Sequence, residues 1–235
     1  MLGKIEAVLF DLDETLIDAQ SGLAGAHQRV AQLVFQYLTK QGFHIDSGAL
    51  TSKIKVLDDR LNRERNYDRN VWWPRLMTEI APHLILPNDL IYKLTIEYWN
   101  AYSECSPPYP DAAYTLTTLK ERGYRLGLVS DTDGIPGLKS KRIRRLPFRE
   151  LFSVTIVAGE DTPELKPSPA PFLKALNIIG VSNKATVFVG DKPFTDIAGA
   201  KEAGMMAIRV WRRKWNSNIE ADLTIESLKD LLTVL

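Results

Sequence analysis

Five short runs of almost unbroken apolar residues, at 5–10, 126–129, 154–157, 185–189 and 206–210, do most to restrict what this chain can fold into. A strand with one wet face alternates apolar and polar residues. A run without that alternation is covered on both faces, as central strands of a parallel sheet are. Beyond residue 126 the runs alternate with helical patterns at 135–145, 169–179 and 194–203, each closing near a Pro or Gly. The alternation predicts an α/β fold built on a doubly wound, mainly parallel sheet.

Residues 19–105 break this rhythm. They hold no comparable strand run but show helical periodicity at 24–38, 50–65, 71–80 and 90–102, punctuated by Pro82, Pro87 and the cluster Pro107, Pro108 and Pro110. A stretch of roughly 85 residues is too long for a loop, so it reads as an inserted α-helical domain. Residues 1–18 and 106–235 would then form the α/β core. Trp72, Trp73, Tyr98 and Trp99 are expected to supply a small apolar core for the insert. Arg60, Arg63, Arg65 and Arg69 lie there too, and read equally well as contacts for an anion or as surface charges.

Composition narrows the function classes. Lys and Arg number 30 against 29 Asp and Glu, a net charge of +1, so no basic field argues for nucleic acid. With 45% hydrophobic and 25% charged residues the chain is ordinary globular material. Its apolar runs fall short of the ~20 residues that span a bilayer. Lys4 and Glu6 interrupt any leader-like start. A single cysteine, Cys105, excludes an internal disulfide framework and a cysteine-based zinc site. The expectation is a cytoplasmic protein, monomer or homodimer, with no nucleic-acid or membrane partner. His27, His44 and His83 show no metal-ligand spacing. The basic run 139–145, with Arg149 beyond it, reads as the solvated face of a helix. Trp211 and Trp215 bracket Arg212, Arg213 and Lys214; Trp211 follows the last strand run, and neither tryptophan is given a role.

Ligands of open α/β sheets bind beyond the carboxyl ends of the strands. The first run is followed by Asp11, Leu12, Asp13, Glu14 and Thr15, and the second by Ser130, Asp131, Thr132 and Asp133. The third leads through Gly159, Glu160 and Asp161 to Leu165, Lys166 and Pro167. The fourth ends in Gly190 and Asp191, with Asp196 five residues on. Any one of these acids, or Ser130, could simply cap a helix or shape a turn. Several carboxylates at one sheet edge, however, repel one another unless a cation neutralises them. The set suits phosphoryl transfer. One carboxylate can attack phosphorus and carry the phosphoryl group. A second can protonate the leaving oxygen and then deprotonate water. Hard oxygen ligands suit Mg²⁺, and a lysine with a hydroxyl can hold the remaining phosphoryl oxygens.

The ordered motifs resemble those of the haloacid dehalogenase superfamily. Asp11-Leu12-Asp13-Glu14-Thr15-Leu16 is similar to its first motif, Asp-x-Asp-x-Thr, and Val129-Ser130 to its second. Lys166-Pro167-Ser168-Pro169, with Phe172 after it, resembles the third. Gly190-Asp191 with Asp196 resembles the fourth, Gly-Asp-x4-Asp. The resemblance covers the whole chain and implies a Rossmann-like core with a helical cap inserted after the first motif, as in phosphoglycolate phosphatase-like members. It implies Asp11 as nucleophile and Asp13 as general acid and base. Ser130 and Lys166 would bind the phosphoryl oxygens, helped by backbone N–H groups at Leu12 and Asp131. Mg²⁺ would be held by Asp11, the Asp13 carbonyl and Asp191, with Asp196 reaching it through water or orienting Lys166. The dehalogenases of the superfamily lack an acid at the position of Asp13, because a halide leaves without a proton. The implied activity is therefore a Mg²⁺-dependent phosphatase acting on a small phosphorylated metabolite. The alternatives are a phosphomutase, a dehalogenase, and a phospho-acceptor or inactive binding protein.

Overall fold

The computed structural model describes residues 4–235. Six parallel strands form one sheet in the order β3-β2-β1-β4-β5-β6. They are β1 (Ala7–Phe10), β2 (Arg125–Asp131), β3 (Phe152–Ala158), β4 (Thr186–Gly190), β5 (Met206–Val210) and β6 (Leu223–Ile225). All four residues of β1 and all five of β4 are buried, which is why their runs do not alternate. The chain runs from β1 outward through β2 to β3, then returns to lay β4 on the other side of β1. The gap between the ends of β1 and β4 is thus the point where strand order reverses, the place where such sheets take ligands.

Contacts divide the chain into two compact units. The first comprises residues up to 18, 108–132 and 139–235. Helices α5 (Ala112–Glu121), α7 (Ala170–Ile179) and α8 (Ala198–Glu202) pack on its sheet; α9 (Leu231–Val234) packs on α5, and α6 (Leu138–Ile143) begins at the last residue of the second unit. Phe172 of α7 meets Phe188 of β4 edge to face at 4.9 Å, at the centre of a core that also holds Leu9, Val129, Ile156 and Ala207. Helix α7 stops at Gly180, whose φ of 66° lets the chain turn away.

The second unit comprises residues 19–107 and 133–138. Its helices are α1 (Ala19–Lys40), α2 (Ser47–Arg63), α3 (Trp72–Ile80) and α4 (Asn88–Cys105). Trp72, Trp73, Tyr98 and Trp99 are all buried there. Trp72, Tyr98 and Trp99 line Arg69, whose guanidinium carbon lies 4.0 Å from the Trp72 ring centre and 4.5 Å from that of Trp99. Beside it, Asp58 Oδ2 is 2.5 Å from His27 Nε2 and accepts from Tyr98 Oη at 2.6 Å. Burial alone would raise the Asp58 carboxyl, but the His27 hydrogen bond and the charge of Arg69 hold it below its ordinary value. Among Arg60, Arg63, Arg65 and Arg69, Arg69 is thus interior. Segment 133–138 belongs to this unit because Gly134 lies against the backbone of Tyr67 and Asp68. A Cβ on Gly134 would come within 2.1 Å of the Tyr67 carbonyl oxygen, and its φ is 90°.

Four elements differ from the sequence reading. The helix expected over 135–145 shrinks to α6, because Gly134 and Gly137 have φ near +90° (90° and 86°) and cannot be helical. The pattern at 194–203 splits into a π-turn, Pro193–Ile197, and the short α8. Helix α1 begins at Ala19 rather than 24, since its first turns are small residues that carry no apolar period. β6 was not expected; at three residues it is too short to register as a run. The basic run 139–145 is not uniformly solvated either. Lys141, Arg144 and Arg145 are exposed, but Lys139 and Arg142 are buried.

Candidate active site

Asp11 leaves β1 with its backbone N–H donating to the Val189 carbonyl of β4 at 2.9 Å, so its side chain stands at the switch point. A tight turn follows. The N–H groups of Leu16 and Ile17 donate to the Leu12 carbonyl, and Glu14 takes a φ of 64°. That turn presents Asp13 two residues after Asp11. Across the gap, β4 ends at Gly190 and Asp191. A Cβ on Gly190 would meet the Asp196 carboxyl carbon at 2.6 Å, so only glycine lets Asp196 pack against the strand end. Asp196 is fixed further by the Lys192 N–H, which donates to its Oδ2 at 3.0 Å.

Lys166 joins the two sides. Its Nζ donates to Asp11 Oδ1 at 2.6 Å, to Asp196 Oδ1 at 2.7 Å and to the Val129 carbonyl at 3.3 Å. Its own N–H donates to Asp131 Oδ1 at 3.0 Å, and its peptide to Pro167 is cis. Burial would lower the Lys166 ammonium, but Asp11, Asp196 and Asp131 hold it well above its ordinary range. One carboxylate oxygen each of Asp11, Asp191 and Asp196 lies within 4.8 Å of the others, and all three residues are buried. Burial raises the Asp11 carboxyl, against the pull of Lys166. Burial likewise raises Asp191, to about 8, with Asp196 and Asp11 adding to it and Lys192 opposing. In both acids burial is the largest cause, so it is removal from water that most disfavours their charged forms.

Asp13 faces other partners. Lys139 Nζ donates to its Oδ2 and Arg142 Nη2 to its Oδ1, both at 2.6 Å. Burial would raise the Asp13 carboxyl, but Arg142 and Lys139 hold it well below the usual carboxylate range. Ser130 is buried at the end of β2, next to Asp131, and Leu12 is buried in the turn after β1. The sequence-derived residues Asp11, Lys166, Asp191 and Asp196 therefore form one cluster, while Asp13 is held beside it by Lys139 and Arg142.

Sequence reasoning missed the segment after β5. Trp215 Nε1 donates to Asp191 Oδ2 at 3.1 Å, with Phe194 edge-on to its ring at 5.1 Å and the Arg213 guanidinium 3.8 Å over it. Arg212 Nη2 donates to the Thr15 carbonyl at 3.2 Å and to Asp111 Oδ1 at 2.8 Å, tying the turn after β1 to this segment. Trp211, the nearer of the two tryptophans to the strand, is 47% exposed instead. No sequence signal beyond a position after the last strand run could have marked Trp215.

The fold and site are those of an open parallel α/β protein with buried acids and a lysine converging on its switch point. The chain belongs to the haloacid dehalogenase-like hydrolases, whose family model matches residues 5–204. It is 30% identical to the phosphoglycolate phosphatase of Aquifex aeolicus, over 98% of this chain and 97% of that protein. It is 27% identical to the glyceraldehyde 3-phosphate phosphatase of Methanopyrus kandleri, over 98% and 97% of the two chains. A crystal structure of a phosphatase of this family from Thermococcus onnurineus superposes with a TM-score of 0.70 at 26% identity, covering 98% and 97%. No helix among the described residues is long and apolar enough to cross a membrane.

Proposed function

We propose that the protein is a Mg²⁺-dependent phosphatase that hydrolyses a small phosphorylated metabolite through an aspartyl-phosphate on Asp11. The observation that carries this reading is Lys166 bonded to both Asp11 and Asp196 at the switch point, with Asp191 beside them. Relatives named for phosphoglycolate and glyceraldehyde 3-phosphate support a small substrate.

The donor set fits the metal. Asp191 Oδ1 is buried and has no hydrogen-bond partner among the described residues, while its other oxygen is taken by Trp215. An orphaned carboxylate oxygen among two further carboxylates is a site for a hard cation. Asp11, Asp191 and the Asp13 carbonyl would hold Mg²⁺, with Asp196 in support. When bound, it offsets the repulsion between carboxylate and phosphate and stabilises charge on the phosphoryl oxygens.

The protein's own groups do the rest. An Asp11 carboxylate oxygen attacks phosphorus and the ester P–O bond breaks. Its electron pair goes to the leaving oxygen, which takes a proton from Asp13; because Lys139 and Arg142 favour the ionised carboxyl, Asp13 first takes that proton from the monoanionic phosphate ester as it binds. Asp13, now a carboxylate, takes a proton from water. That water attacks phosphorus, the bond to Asp11 breaks, and inorganic phosphate leaves. The Lys166 ammonium and the Ser130 hydroxyl, with the N–H groups of Leu12 and Asp131, are assigned to the phosphoryl oxygens. The helical unit, 19–105 in the sequence reading, is assigned the role of a cap that sets selectivity.

The test is phosphate release from p-nitrophenyl phosphate with Mg²⁺ and with EDTA. Release that needs Mg²⁺ is expected; release unchanged by EDTA would overturn the metal assignment. Trp215→Phe keeps the ring against Phe194 but removes the donor to Asp191. It is expected to weaken Mg²⁺ binding, followed by calorimetric titration, by about 10-fold, as loss of partners that orient metal ligands does.

A further inference from the structure

We propose that Lys139 and Arg142 are positioning residues that hold the Asp13 carboxyl where it meets the leaving oxygen. This rests on the reading of Asp13 as proton donor and acceptor. The two cations stand three residues apart on α6 and project from one face of it. Each takes a different oxygen of the same carboxyl at 2.6 Å, so the group is gripped at two points and its plane is fixed. The exposures are unequal in a telling way. The Lys139 and Arg142 side chains are 3% and 6% exposed, whereas Asp13 is 19% exposed. The anchors are interior and the group they anchor is the one that can be reached.

Stability alone does not account for this arrangement. Burying two cations carries a desolvation cost that ion pairing often does not repay, and apolar residues of similar size can pack as well. What apolar residues could not do is fix an acid's direction. Proton transfer needs the carboxyl within hydrogen-bond reach of the leaving oxygen, and small misplacements of a catalytic group are costly. The neighbours Lys141, Arg144 and Arg145 are exposed, so the two buried cations are singled out from a run that otherwise faces water.

The experiment compares two aryl esters of the same enzyme. p-Nitrophenol leaves readily as an anion, whereas phenol, with an acidity near that of a tyrosine side chain at about 10, needs the proton. The quantity read is kcat/KM, which covers the steps up to departure of the phenol. Asp13→Asn is the reference and is expected to lower phenyl phosphate turnover by about 100-fold, in the range of general acid catalysis, and p-nitrophenyl phosphate far less. Lys139→Met and Arg142→Gln are each expected to lower phenyl phosphate by about 10-fold and p-nitrophenyl phosphate by under about threefold, a fraction of the full acid effect. Arg142→Lys, which keeps a charge, is expected to recover most of the loss. Equal losses on both esters, or no loss on either, would overturn the positioning role. If one variant does not fold, the other carries the comparison, since each removes one of the two anchors. Should Asp13→Asn itself fall equally on both esters, the reading of Asp13 fails. Should Asp13→Asn be selective and the anchor variants not, only the positioning role fails.

Discussion

Asp11→Asn is expected to leave a folded protein that releases no phosphate. The substitution changes almost no volume at a buried position, and an amide oxygen still accepts from Lys166 Nζ, which lies 2.6 Å from Asp11 Oδ1. The amide cannot form the aspartyl-phosphate, so the two-step path closes. A loss of about 10³-fold or more in kcat is expected, given what removal of a nucleophile costs elsewhere. Burial disfavours the Asp11 charge, while the substitution takes from buried Lys166 one of its two carboxylate partners, so the two effects oppose and the thermal midpoint without Mg²⁺ should stay close to that of the wild type. Phosphate release and thermal unfolding measured on one preparation check both halves. Retention of more than about a tenth of wild-type turnover would remove Asp11 from the nucleophile's role, because loss of a nucleophile is never that mild.

The second large effect is at Lys166. Lys166→Met keeps the length of the side chain but deletes a charge that touches Asp11 and Asp196 at 2.6 and 2.7 Å. If the ammonium holds a phosphoryl oxygen in the transition state, kcat should fall by about 10²–10³, or about 2.7–4 kcal/mol, the scale of one preorganised electrostatic donor. The substitution also leaves Asp11, Asp191 and Asp196 without their internal cation, so the variant should lose stability in EDTA and regain more of it on adding Mg²⁺ than the wild type does. Thermal scans with and without Mg²⁺, beside initial rates, separate the two consequences. A change in kcat below about threefold would mean that another group holds the phosphate, since a donor in contact with developing charge costs far more.

The parts of the molecule legible in the sequence are those set by burial on two faces. The runs at 5–10 and 185–189 lack alternation because β1 and β4 are covered on both sides, and the residues just beyond them, Asp11 and Asp191, could be placed by strand direction alone. Lys166 and Asp196 were found by their spacing within motifs. What spacing does not carry is which side of a charged helix faces inward. Lys139 and Arg142 sit in a run of like charge, and only the packing of α6 separates them from Lys141, Arg144 and Arg145. Trp215 is the same case: the sequence sets it beside Arg212, Arg213 and Lys214 but gives no sign that it meets Asp191. Its bond to Asp191 joins positions 24 residues apart through a segment with no strand or helix of its own. A helical pattern does not reveal that residues 133–138 cluster with 19–107, because that piece is only six residues long and meets Tyr67 through a glycine.

That six-residue piece, 133–138, bears on how such proteins diversify. The helical unit is assembled from two separate stretches of chain, 19–107 and 133–138, so it is not a cassette that one insertion delivers or one crossover exchanges. A recombinant that swaps only the long stretch inherits a foreign loop directly behind Ser130, and that loop's glycine must still fit whatever backbone replaces Tyr67 and Asp68. Under the proposed role of the helical unit in selectivity, that role and the second motif would be genetically linked in this chain. New specificities can be expected to arise by paired change in the insert and in the loop after β2, more readily than by wholesale replacement of the insert.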